Sequence, residues 1–167
     1  MATTSMAMEQ SKEVDIYRDT PLRFVGYTNE VGEAFRPLVH KNIVNLSYAA
    51  AFIYVLADVR DKAIKMKQSL SNTDHSPSSV NKKVVIAGAD TLLWQTLASV
   101  AIPGFTINRF CAVNYFLLKN YAKIPKPTRK YVTTALGLLC IPFIVHPIDE
   151  FTTYAMNNTI RKLYFKE

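Results

Sequence analysis

The sequence has little from which a conventional active site could be built. It holds two cysteines and three histidines. Cys111 and Cys140 both lie in apolar text, where a thiol serves as a small apolar group. A disulfide-stapled secreted domain needs paired cysteines in polar, loop-rich sequence. His40, His75 and His146 are far apart and sit in different contexts, so no Cys/His cluster has metal-ligand spacing. There is no phosphate-binding glycine loop, no HExxH pair and no nucleophile elbow. No nucleophile stands beside a base in the chain. The expectation is a protein that is not an enzyme and needs no metal or cofactor.

Charge is also missing from three stretches. Residues 43–59 read IVNLSYAAAFIYVLADV, with Asp58 as the only charge. At 1.5 Å per residue this run reaches about 25 Å, just short of a hydrocarbon core of about 30 Å. Extension back to Val39 would close the gap. Residues 84–107 read VVIAGADTLLWQTLASVAIPGFTI, with Asp90 alone charged. That run is long enough to cross, and Pro103-Gly104 should break or kink it near its end. Residues 131–148 carry no formal charge and include the small-xxx-small pair Thr133 and Gly137, a pattern that lets membrane helices approach closely. The spacing predicts an all-α fold: a small polytopic membrane bundle of three or four spans.

Polar text separates these runs. Residues 1–19 read as a disordered tail. Thr20-Pro21 has the form of a helix start. Leu22, Val25, Val31, Phe35 and Leu38 then recur at helical spacing, while Arg23, Glu30, Glu33 and Arg36 fall largely elsewhere. Residues 21–38 are therefore expected to form an amphipathic helix. Val31 and Phe35 would face a membrane interface or the rest of the protein. Residues 60–83 read as a flexible loop, and 149–167 as an amphipathic tail.

Residues 106–122 are ambiguous between a short span, a re-entrant segment and an interfacial helix. Residues 60–83 carry +4 and residues 109–130 carry +6. Because Lys and Arg gather on the side that does not translocate, a fourth crossing at 106–118 would bring both basic loops to one side.

Asp90 is the sharpest single residue, because a carboxylate inside a span is costly and normally has a partner. It invites either a proton, ion or substrate contact or a structural hydrogen bond to a neighbouring helix. Gln95 is a second candidate for an intramembrane polar contact, five residues on and not clearly on the same face. Lys119, Lys123, Lys126, Arg129 and Lys130 form a basic cluster suited to anionic headgroups, including cardiolipin, or to setting topology. The net charge of +7 does not indicate nucleic acid, since the basic residues flank apolar runs without a binding motif.

Several longer words carry a resemblance: DIYRDT (15–20), GYTNEVGEAFRPLV (26–39), YVLAD (54–58), DTLLWQTLASVAIPGFTINR (90–109), TTALGLLCIP (133–142), HPID (146–149) and RKLY (161–164). In these words, which follow the family's order across nearly the whole chain, the sequence resembles the mitochondrial fission process protein 1 family. The resemblance implies a multi-pass protein of about 18 kDa in the mitochondrial inner membrane, acting in mitochondrial fission and organelle morphology. It implies no enzymatic activity and no catalytic residues. The N-terminus lacks the acid-poor character of a cleaved presequence, with Glu9, Glu13, Asp15 and Asp19 present, so an internal targeting signal is expected. The expected partners are the lipid bilayer and unidentified inner-membrane proteins. Two alternatives to a fission factor are a small transporter or proton-leak pathway using Asp90, and an accessory subunit of an inner-membrane complex. If the apolar runs reside in lipid, sodium carbonate washing of organelle membranes should leave the protein in the pellet; release into the supernatant would reverse the assignment.

Overall fold

The computed structural model describes residues 21–71 and 77–164, and among them every regular element is a helix. A 3-10 segment, Pro21–Tyr27, leads into α1 (Thr28–Phe35). After a turn come α2 (Lys41–Ser71), α3 (Pro77–Gln95), a π-helical segment (Thr96–Ala101) and α4 (Ile102–Asn120). A short connection leads to α5 (Lys126–Asn158), followed by α6 (Arg161–Tyr164). The expected tail 1–19, the helix-start Thr20 and the middle of the expected Ser-rich loop lie outside the described residues.

Three helices are long and apolar enough to cross a membrane: Lys41–Leu70, Ser78–Asn120 and Lys126–Asn158. Each runs past the edges read from hydropathy. Residues 60–71, expected in a loop, continue α2. That stretch has no Gly or Pro, and Lys62 and Lys65 sit one turn beyond Asp58 and Asp61 at 3.6 and 3.0 Å, pairs that support a helix at this spacing. Likewise α5 starts at Lys126 rather than 131 and continues through ten of the residues read as tail. Pro127 occupies an early helical position, where its missing N–H is no loss.

Pro103-Gly104 does not break the second helix. The departure from α geometry falls just before it, at Thr96–Ala101. A proline ring collides with the carbonyl four residues back, which here belongs to Ser99. The wider π turn accommodates it, and the Ile102 N–H donates to the carbonyl of Leu97, five residues earlier. Residues 106–120 are thus the last third of one 43-residue helix, about 65 Å long at the α-helical rise, and not a separate helix. The α2–α3 and α4–α5 connections, each in a basic segment, consequently lie at opposite ends of that helix.

A fourth strand of the bundle does exist, but it is N-terminal. Helix α1 packs against α2, α4 and α5, and the 3-10 segment against α2 and the π segment. Ala34 joins Ile107, Cys111 and Ile141 in one core cluster, while Trp94, Ala98 and Met156 form a second. Small residues permit this closeness. A Cβ placed on Gly137 would stand 2.7 Å from Cys111 Sγ and 3.0 Å from Ala34 Cβ, and one on Gly32 would overlap Ser47. Outward, the long helices present large apolar side chains such as Ile53, Phe105, Phe116, Leu139 and Phe143, a surface fit for lipid and unsuited to water.

Gly137→Leu should loosen the junction of α1, α4 and α5. Overpacking typically costs about 1–3 kcal/mol, so a lower thermal midpoint in detergent is expected, whereas Gly88→Ala, with only Val59 at ordinary contact distance, should leave it unchanged.

Candidate functional site

Helix α1 is amphipathic, as its spacing suggested, but it is mounted inside out. Its buried residues are Asn29, Glu30, Gly32, Glu33 and Ala34. Val31 is 39% exposed and Phe24, just upstream, 72%. Phe35 is half-buried. The polar face therefore points at the three long helices and the apolar face points away from them. Had water surrounded this bundle, the energetically natural arrangement would be the reverse.

Glu33 shows how the inward face is satisfied. Arg36 donates to it from Nε and Nη2, both at 2.6 Å. Tyr48 on α2 donates to Oε1 at 3.0 Å, and Asn108 on α4 donates to Oε2 at 2.8 Å. One carboxylate thus ties three helices together. Burial alone would raise the Glu33 carboxyl, but the hydrogen bonds from Arg36, Asn108 and Tyr48, with the Arg36 charge, outweigh it and hold it below the ordinary carboxylate range. Asn29 makes a further link, its Nδ2 donating to the carbonyl of Val100 at 3.1 Å.

Glu30, one turn away, is the opposite case. It is fully buried, and neither carboxyl oxygen accepts a hydrogen bond from another described residue. Burial, with a smaller contribution from Asp149 on α5, pushes its carboxyl up to about 8. A buried carboxyl with no donor is held in its neutral form.

A second polar link joins α2 to the π segment. Asp58 is fully buried and accepts from Gln95 Nε2. Gln95 Oε1 in turn accepts from Ser99 at 2.6 Å, and Lys62 Nζ lies 3.6 Å from Asp58. Gln95 and Asp90 therefore do not share a contact. Asp90 pairs with Arg161 through two hydrogen bonds of 2.8 and 2.6 Å, which fasten the C-terminal helix α6 to α3. Trp94 donates to Thr153 at 2.9 Å, so this indole packs between helices.

The basic cluster divides. Lys119, Lys123 and Lys126 are exposed around the α4–α5 connection, and Lys130 is half-buried. Arg129 turns inward instead: it is 9% exposed, with its guanidinium 4.4 Å from the Tyr115 ring centroid and Nη2 donating to the Tyr115 hydroxyl at 3.2 Å. It braces α4 against α5 and is not part of the exposed patch. Among the described residues no group of three or more His, Cys, Asp or Glu could hold a metal ion.

Sequence reading passed over Glu30, Glu33 and Asp58. The first two sat in a segment that could equally lie on a membrane surface, and Asp58 stood at the edge of an apolar run. The available signal was a short helix whose small residues, Gly32 and Ala34, flank its carboxylates.

Polar contacts gathered inside and apolar side chains outside define a small helical bundle of the membrane-protein type. The chain belongs to the Mitochondrial 18 KDa protein (MTP18) family, whose model it matches over residues 16–156. It is 53% identical to mitochondrial fission process protein 1 of Caenorhabditis elegans, over 94% of this chain and 93% of that one. The protein of the same name from Homo sapiens is 50% identical over 91% and 89% of the two chains, and that from Danio rerio 51% over 92% and 91%. No solved structure matches.

The two buried carboxyls separate by pH. Glu30, raised when folded, contributes stability that is complete below its unfolded value of 4.5 and is lost as pH rises toward 8. Glu33, lowered when folded, acts in the other direction and only on the acid side of 4.5. Between pH 5 and 8 the detergent-solubilised bundle should therefore lose up to about 1.4 kcal/mol per pH unit. Thermal unfolding should show this slope in the native protein and a flatter one in Glu30→Gln.

Proposed function

We propose that this protein is a non-enzymatic, multi-pass protein of the mitochondrial inner membrane that promotes mitochondrial fission and sets network morphology. The relatives named for that process cover nearly the whole chain on both sides, which carries the reading. Three helices of sufficient length and apolarity support the multi-pass arrangement. The described polar side chains of the site link helices to one another, which supports action through shape and partners.

The physical route we favour is leaflet insertion at the N-terminal segment. Phe24, Val25 and Val31 are exposed on its outer face while its polar face is docked. A segment that displays apolar side chains at one level of a bundle occupies area in one leaflet and favours curvature. The exposed lysines 119, 123 and 126 at the α4–α5 connection supply a contact for anionic headgroups, cardiolipin among them.

In cells lacking their own copy, the wild-type chain should restore fission. Val31→Asp should fail to do so, although Val31 is not among the buried residues of α1, so the helical circular-dichroism signal and inner-membrane fractionation should stay intact. Full rescue by Val31→Asp would eliminate leaflet insertion as the route. A wild-type chain that fractionates with the outer membrane would eliminate the location.

A further inference from the structure

Glu30 is unlike the other buried carboxylates. Glu33 is saturated by donors from three helices, Asp58 has Gln95 and Lys62, and Asp90 has Arg161. Glu30 has no donor from another residue at either oxygen, and the neighbouring Asn29 Oδ1 is likewise buried without one. The titratable and charged groups around it come from every packed side. Glu33 with Arg36 lies on its own helix, Tyr48 on α2 and Asp149 on α5, while α4 contributes the neutral Asn108 and the thiol Cys111 beside Glu33.

These groups are not isolated from the ends of the bundle. On one side Glu33 connects to Arg36, whose side chain is 45% exposed. On the other, Asp58 connects to the partly exposed Lys62. Tyr48 and Asp58, ten residues apart on α2, mark an axial interval of about 15 Å. Glu30 lies on α1, which packs on α2 and α5; Asp149 and Thr152 lie on α5, which packs on the π segment that holds Ser99 and in turn packs on α2, and the hydroxyl of Thr152 is buried without a partner. A membrane bundle that keeps polar side chains on its axis, with one carboxyl left uncompensated, matches the pattern of a proton relay.

We propose that Glu30 is a proton-carrying site and that the bundle conducts protons through it, from the Arg36–Glu33 end to the Asp58–Lys62 end or in reverse. The proton binds a Glu30 oxygen from one side and leaves to the other, and nothing else is exchanged. A desolvated acid without a donor from another residue is what such a step requires, because no fixed partner holds its charged form. This activity is independent of the fission reading and can stand or fall without it.

The test uses the full chain in phosphatidylcholine–cardiolipin vesicles loaded with potassium and a trapped pH-sensitive dye. Valinomycin sets the potential that drives protons inward. The wild type should acidify the lumen several-fold faster than protein-free vesicles. Glu30→Gln should fall to the protein-free rate, Glu30→Asp should retain part of the flux, and Asp90→Asn should match the wild type. Should Glu30→Gln fail to fold, the wild type itself serves: a hydrophobic carbodiimide, which reacts with protonated carboxyls, should block its flux and label the peptide that contains Glu30. Wild-type flux no greater than in protein-free vesicles, undiminished flux in folded Glu30→Gln, or flux that persists under the carbodiimide overturns the proposal.

Discussion

The docking of a polar helix face into the middle of an apolar bundle is the constraint on which the remaining structure depends. Asn29, Glu30 and Glu33 could not be buried singly without large desolvation costs. Glu33 meets that cost by collecting donors from Arg36, Tyr48 and Asn108 at 2.6–3.0 Å. Tyr48 and Asn108 sit on helices that must approach closely to reach it. That explains why the small residues Gly32 and Gly137 stand where they do, and why the π turn ahead of Pro103 is accommodated rather than replaced by a break. Without hydrophobic force between helices in lipid, packing of small residues and interhelical hydrogen bonds are what remain to hold such a bundle together.

The polar contacts divide by position and by task. Those at the ends of the bundle fasten elements: Arg161 with Asp90 secures α6 to α3, and Arg129 stacked on Tyr115 braces α4 against α5. Those along the axis link the N-terminal helix and the π segment to α2. Only the second group contains a carboxyl left without a donor from another residue. The structure thus separates charges that stabilise an arrangement from a buried carboxyl left without such a partner, and this separation rests on hydrogen-bond partners rather than on residue type.

Much of the architecture was legible in the chain. The three charge-free runs correspond to three long helices, and the all-helical class follows from their length. The limits of those helices were less legible, because hydropathy reports the apolar middle and is silent on polar extensions such as 60–71, which are helical through their spacing and packing. The fourth crossing that the charge distribution favoured at 106–118 needs a separate helix there, while the π turn ahead of Pro103 lets the second long helix continue through those residues. For the site, Asp90 and Gln95 stood out because they interrupt apolar text, yet each was found with a different partner. Arg129 looked like its lysine neighbours, and only Tyr115, fourteen residues earlier, draws it inward.

The sequence by itself determined the class of fold, the position of the apolar runs and the family, because these depend on composition along one segment at a time. It also indicated a two-faced helix over residues 21–38, of which the structure makes 21–27 a 3-10 segment and 28–35 an α-helix. Which face would be buried was decided only by the tertiary structure, since an amphipathic pattern is symmetric with respect to its surroundings: it fits lipid outside as well as protein inside. The donors that resolve the ambiguity come from positions 15 to 75 residues away in the chain, and no local reading can bring them together.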